Sequence, residues 1–411
     1  MLTLENNRLT IRFPEVHKDA TCTIEFQRTL RIPDDNRTHK LPPGLGAFPL
    51  KHVDDHADKL PAAWHKRGGV FLPMHDTEAM WIKFHSRYPF AVKIAAGKIN
   101  AVTGEAWTPE LRGPLSRQRP VNGPRHFGDL SFGETGLVGG SHAGMGGNVG
   151  GEQDYVVLPR QNWLDGFCTE KGKIRQFVAK PMGEGYTVEE QITGEAVHGG
   201  LQIIVYPLKP EHYRPSPSSA LRSMSLGGSV GTFMSGGVSA SASSSFSASA
   251  KGAELSTDFD WLSLEMERSA GPQLNARSVV KDMGMAPGGL MEQTIYEDDY
   301  GLEKFDQSIS AKCFVHLLNA QHYEAVTGQK PPHKAPTASD YTKHGLPWFQ
   351  EQKAPGAKAL PGGKPLQKLD SVANLANKLG HGPLQGNDPL PVAPKVVTVK
   401  TVPGQVREGD F

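Results

Sequence analysis

The stretch TCTIEFQRTLRI, Thr21 to Ile32, places Cys22, Ile24, Phe26, Leu30 and Ile32 on even positions. A period of two is that of a half-buried β-strand, whose side chains alternate between two faces. Working outward, Leu9, Ile11 and Phe13 carry the same alternation ahead of it. Short apolar runs bounded by Gly, Pro or Asp follow at Val70–Leu72, Met80–Phe84, Phe90–Ile94, Tyr155–Leu158, Lys173–Ala179, Tyr186–Ile192 and Leu201–Leu208. Strands punctuated this regularly predict a mostly β protein, sandwich or barrel-like, in one unit or two β subdomains. The 46 Gly and 32 Pro among 411 residues interrupt the chain too often for a helical bundle and predict few short helices between long Gly/Ser/Pro-rich loops.

Four segments follow from composition. Residues 1–105 form an N-terminal β region, and 106–152 a Gly/Pro-rich surface excursion. Residues 153–350 are again β-rich, with a Ser/Gly/Ala-rich insertion at about 215–252 and a helix predicted near 312–327 from the spacing of Phe314, Leu317, Leu318 and Ala325. Residues 351–411, rich in Pro, Gly and Lys, read as a flexible tail in which Leu369–Leu379 could form one short helix.

Four stretches carry a resemblance: RIPDDNRTHKLPPGLGAFPL from Arg31, RGGVFLPMHDTEAMWIKF from Arg67, the block from Gln161 to Pro207, and MGMAPGGLMEQTIYEDDYGLEKFD from Met283. Together they resemble a family of uncharacterised bacterial and fungal proteins to which no activity is assigned. The resemblance implies common ancestry and carries over no functional residue.

A net charge of +1 and the lack of a dense Lys/Arg cluster argue against a nucleic-acid partner. The opening MLTLENNRLTIRF lacks the basic start and unbroken apolar run of a secretion signal, and no window reaches the roughly 18 apolar residues of a membrane helix. A cytoplasmic protein is expected. Cys22, Cys168 and Cys313 are too widely spaced for a zinc motif or a disulfide framework and read as buried thiols.

Candidate chemistry concentrates between His52 and His85, where five histidines, His52, His56, His65, His75 and His85, alternate with carboxylates. His52 and His56 stand four apart, and Asp55 beside His56 resembles an inverted zinc motif with Asp in place of Glu. His52, Asp55, His56 and His75 are therefore the candidate ligands for zinc, and a metal-dependent hydrolase is one alternative function. The G-x-S-x-G pattern at Gly227–Gly231 lacks the helix that a nucleophile elbow requires. The acidic groups Asp258 with Asp260, and Glu297 with Asp298 and Asp299, read as surface carboxylates outside any EF-hand loop.

The sharpest pattern lies from Val238 to Ala250, where every odd position is serine and the even ones are mostly small and apolar. With Met224, Leu226, Val230 and Met234 it sketches a hairpin over 223–250. Arms of about thirteen residues reach about 43 Å, enough for a hydrocarbon core of about 30 Å. A pore-forming protein inserting that hairpin is a second alternative, and the only membrane route expected. The leading reading is a non-enzymatic β-rich protein that binds a ligand or associates with copies of itself, a homo-oligomer in the second case.

Overall fold

In the computed structural model, which describes residues 1–114, 152–215, 282–352, 356–382, 384 and 386–400, the chain opens with an antiparallel meander. It consists of β1 (Leu2–Glu5), β2 (Arg8–Arg12) and β3 (Thr21–Thr29). β3 is the strand whose alternation was plain in the sequence, and Cys22, Ile24 and Phe26 are fully buried on it. Three short strands, β4 (Thr38–His39), β5 (Gly44–Ala47) and β6 (Lys51–His52), lead to β7 (Val70–Met74), β8 (Ala79–Ser86), β9 (Phe90–Ala96) and β10 (Ile99–Asn100). Beyond residue 152 come β11 (Val156–Leu158), β12 (Trp163–Leu164), β13 (Gly166–Glu170), β14 (Lys173–Pro181) and β15 (Leu201–Pro207). The described chain resumes with β16 (Asp282–Glu292) and β17 (Ala311–Asn319), then β18 (Trp348–Gln352) and β19 (Val396–Lys400).

The first seventeen strands hydrogen-bond into one sheet, while β18 and β19 form a separate parallel pair. Part of the large sheet closes on itself. β14 pairs with β16, β16 with β17, β17 with β15 and β15 with β9, all antiparallel. Ala101 then donates its N–H to Ile94 of β9 and accepts from Cys168 of β13, and β13 pairs with β14 to complete the ring. Closure leaves these strands no free edge. The main core, which draws on Ile24, Ile94, Phe177, Ile203 and Val315, runs through the N-terminal region and the 153–350 region alike, so the two share one interior.

Two local readings are corrected. Tyr186–Ile192, expected as a strand, instead runs into the helix Val188–Thr193, started by a capping box in which Thr187 and Glu190 satisfy each other's free N–H. The helix expected near 312–327 begins only at Ala320, because 311–319 is β17. Its close-set apolar residues are those of a strand buried on both faces: Cys313, Val315 and Leu317 join the main core, and Leu318 joins a second cluster with Trp64, Phe71 and Tyr323. The region expected as a flexible tail is seated on the barrel over much of its described length. Leu360, Leu366 and Leu369 enter the main core, and the helix Val372–Lys378 places Val372 and Ala376 against Val178 and Ala286. No helix among the described residues is long and apolar enough to cross a membrane.

Candidate functional site

Five separate stretches of chain, one of them represented by Pro114 alone, surround a cavity of about 500 Å³. Val102 and Thr103 follow β10, Glu152 and Gln153 precede β11, and Glu297 to Gly301 with Lys304 follow β16. Gly356, Lys358 and Leu360 to Gly362 form the remaining wall. That last stretch lies flat against the barrel because Glu297 donates its N–H to Lys358, Leu360 donates to Ile295, and Gly363 donates to Cys168. Glycine is required where it touches down, since a Cβ on Gly362 would stand 2.4 Å from the Thr169 carbonyl oxygen and one on Gly363 2.2 Å from that of Thr103.

A hydrogen-bonded network centred on Asp298 holds the walls. Its Oδ2 accepts from the Tyr155 hydroxyl at 2.6 Å and from the Gly301 N–H at 3.1 Å, and its Oδ1 accepts from the Tyr300 N–H at 2.7 Å. The Asp298 N–H donates to Oε1 of Gln153 at 2.8 Å, whose amide nitrogen donates in turn to the carbonyls of Tyr155 and Tyr296. Asp299 is paired with Arg160, whose guanidinium lies 5.4 Å over the Tyr296 ring. Glu152, Glu297, Lys304 and Lys358 differ from these. None of the four side chains has a hydrogen-bonding or ionic partner among the described residues.

Burial is the largest influence on Asp298 and raises its pKa, against the lowering pull of the Tyr155 hydroxyl and the two backbone N–H groups. A carboxyl that holds its proton more tightly folded than unfolded makes stability fall as pH rises from the ordinary carboxylate range through the raised folded value. The Asp298→Asn variant keeps an oxygen for one of the two N–H donors, which reach different carboxylate oxygens, and cannot ionise. Its urea midpoint is expected to fall less than that of the parent protein between acid and neutral pH, and superimposable pH profiles would remove Asp298 as the source.

The residues singled out as zinc ligands are scattered. His52 is exposed on β6. Asp55 is exposed, and His56 sets its ring edge-on to Phe71 at 5.5 Å, both within the short turn Asp54–His56. His75 places Nε2 2.8 Å from the Pro332 carbonyl. Among the described residues no three His, Cys, Asp or Glu side chains gather as metal ligands would. The reason is local geometry: the five closely spaced histidines are divided among β6, a short turn, the helix Ala62–Arg67, the loop after β7, and β8. The serine-rich segment 223–250, the pattern at Gly227–Gly231, and Asp258 with Asp260 lie outside the described residues. Trp64, Trp81, Trp163 and Trp348 are buried as packing.

Glu297, Asp298 and Asp299, read from sequence as surface acid, turn out to border the cavity, and the acidic run was the one signal that pointed to it. Nothing in the sequence joined them to Glu152 or Lys358, which lie far off along the chain. Comparisons with protein-family models, with curated proteins and with solved structures each returned no match, so the geometry of this cavity carries the functional argument.

Proposed function

We propose that the protein is a ligand-binding barrel whose cavity takes a small zwitterion, a molecule with one cationic and one anionic group. The observation behind this reading is four charges around one cavity, two carboxylates and two ammonium groups, that have no partner among the described residues. A volume of about 500 Å³ suits a small molecule. Charges of both signs so placed favour a ligand that offers a partner to each. The Asp298 network holds the walls in place before binding, which spares the ligand the cost of ordering them.

Calorimetric titration of the full chain with a panel of α-amino acids tests the proposal, with acetate and methylammonium as probes carrying one charge each. Saturable heat is expected for at least one amino acid and for neither single-charge probe. The Lys304→Glu/Lys358→Glu variant, which reverses the charge at both ammonium positions, is expected to weaken that binding about tenfold or more, since one charged hydrogen bond contributes about 1.5–3 kcal/mol. Absence of saturable heat with every amino acid at millimolar concentration would overturn it.

A further inference from the structure

Away from the cavity, the loop leading into β15 holds a histidine in one orientation. Glu189, in the helix Val188–Thr193, is buried. Its carboxylate accepts from Nδ1 of His198 at 2.9 Å, from the His198 N–H at 3.0 and 3.1 Å, and from the Gly199 N–H at 2.9 Å. A carboxylate accepts only, so in the neutral ring the proton sits on Nδ1 and the lone pair on Nε2. The described residues offer Nε2 no hydrogen-bond partner, and the side chain is 28% exposed. Two backbone bonds would clamp the loop by themselves. The third, to Nδ1, fixes the ring.

The surroundings are shaped around this pair. Gly97 has φ +53°, and a Cβ there would stand 2.5 Å from Oε2 of Glu189. Met182 packs against Gly199 and Phe314 against Gly200, so two apolar side chains border the backbone that follows His198. Arg67 donates to the carbonyls of His198 and Val197 at 3.1 and 3.0 Å and lies 5.2 Å over the Phe314 ring. Phe314 stacks on His316 at 4.2 Å, and His316 on Trp64 at 4.3 Å. Burial pushes the His316 pKa down to about 3, so this column stays neutral beneath the guanidinium.

We propose that His198 is a general base that activates water against a small apolar acyl ester, with Glu189 as its positioning residue. Nε2 takes a proton from water as the water oxygen bonds to the ester carbonyl carbon, and the C=O π pair moves onto the carbonyl oxygen. Arg67 supplies positive charge close by for that oxygen. When the intermediate collapses the C=O bond re-forms, the bond to the alcohol oxygen breaks, and the proton on Nε2 passes to the departing alkoxide. Water is the only co-reactant, and an acid and an alcohol are the products. Met182 and Phe314 suit a short apolar acyl group, and the buried carboxylate holding a histidine by Nδ1 is the arrangement that general-base catalysis uses.

The test is hydrolysis of p-nitrophenyl acetate by the full chain. Saturable release of p-nitrophenolate above buffer is expected, with His198→Gln slower by about 10²-fold, the low end of what a positioned base contributes. Imidazole in solution should restore part of the rate to His198→Gly, Glu189→Gln should lower kcat with KM unchanged, and His344→Gln, at an exposed histidine, should leave the rate as it was. A folded His198→Gln protein with the parent rate would overturn the proposal. So would a parent protein no faster than buffer, a readout that needs no variant to fold.

Discussion

Replacing Lys93 with Met is expected to lower the free energy of unfolding by about 3–5 kcal/mol, because removing one partner of a buried ion pair strands the other. Lys93 on β9 and Asp154 are 1% and 4% exposed at the side chain, with Nζ 2.6 Å from Oδ2. The ammonium also donates to the Glu110 carbonyl at 2.6 Å and to Oγ1 of Thr108 at 3.2 Å, and it lies 5.5 Å over the Trp107 ring. Asp154 accepts further from the Arg112 N–H. Burial raises the Asp154 pKa while Lys93 pulls it back, so without the ammonium the carboxylate is left desolvated with its main opposing charge gone. The Lys93→Met/Asp154→Leu variant removes both charges and is expected to regain most of the loss. Urea unfolding of the parent, both single variants and the double variant measures the coupling. A double variant no more stable than Lys93→Met would assign the loss to packing instead.

Gly166→Ala is the second large effect, with an expected loss above about 4 kcal/mol, the range in which single substitutions become exceptional. A Cβ at Gly166 would stand 1.8 Å from the Arg175 carbonyl oxygen and 2.6 Å from its carbon. Both atoms belong to the backbone of β14, paired here with β13. No side chain can swing away, so relief requires the two strands to part, and their pairing is one link of the closed ring. Gly172→Ala is the control. Gly172 has φ +76° and open space around it, so alanine there meets only the left-handed backbone cost of about 1–2 kcal/mol. Thermal or urea unfolding of both compares them directly, and equal losses would sink the steric account.

The β character was legible because alternation is a local signal: Cys22, Ile24 and Phe26 announce β3 without knowledge of its neighbours. The capping box of Thr187 and Glu190 is also a local signal, but Tyr186, Val188 and Ile192 all fall on even positions, as in a strand, and mask it. β17 misled for a different reason. A strand covered on both faces loses its polar positions, and a run such as Phe314 to Leu318 then fits helix and strand alike. The stretch beyond Gly356 showed its short helix, expected within Leu369–Leu379 and present as Val372–Lys378, but its docking could not be read. Its buried residues Leu360, Leu366, Leu369, Val372 and Ala376 stand far apart among Pro, Gly and Lys, and only surfaces formed hundreds of residues earlier show why they are apolar. The cavity and the Glu189–His198 pair share that difficulty, since each is assembled from positions whose spacing along the chain carries no information.

The ring of hydrogen bonds also sets an order of events during synthesis. β9 and β13 are made early, but the circuit lacks β16 and β17 until residue 319 has emerged. Even then the edge near Asp34 waits, because its carboxylate accepts from the Ala373 N–H and its own N–H donates to Asn387. Contacts spanning more than three hundred residues make loop closure, not strand formation, the slow part of folding. A nascent chain of this protein therefore carries unpaired strand edges for most of its time on the ribosome, and its exposure to aggregation and its call on chaperones are fixed by its topology before any ligand is met.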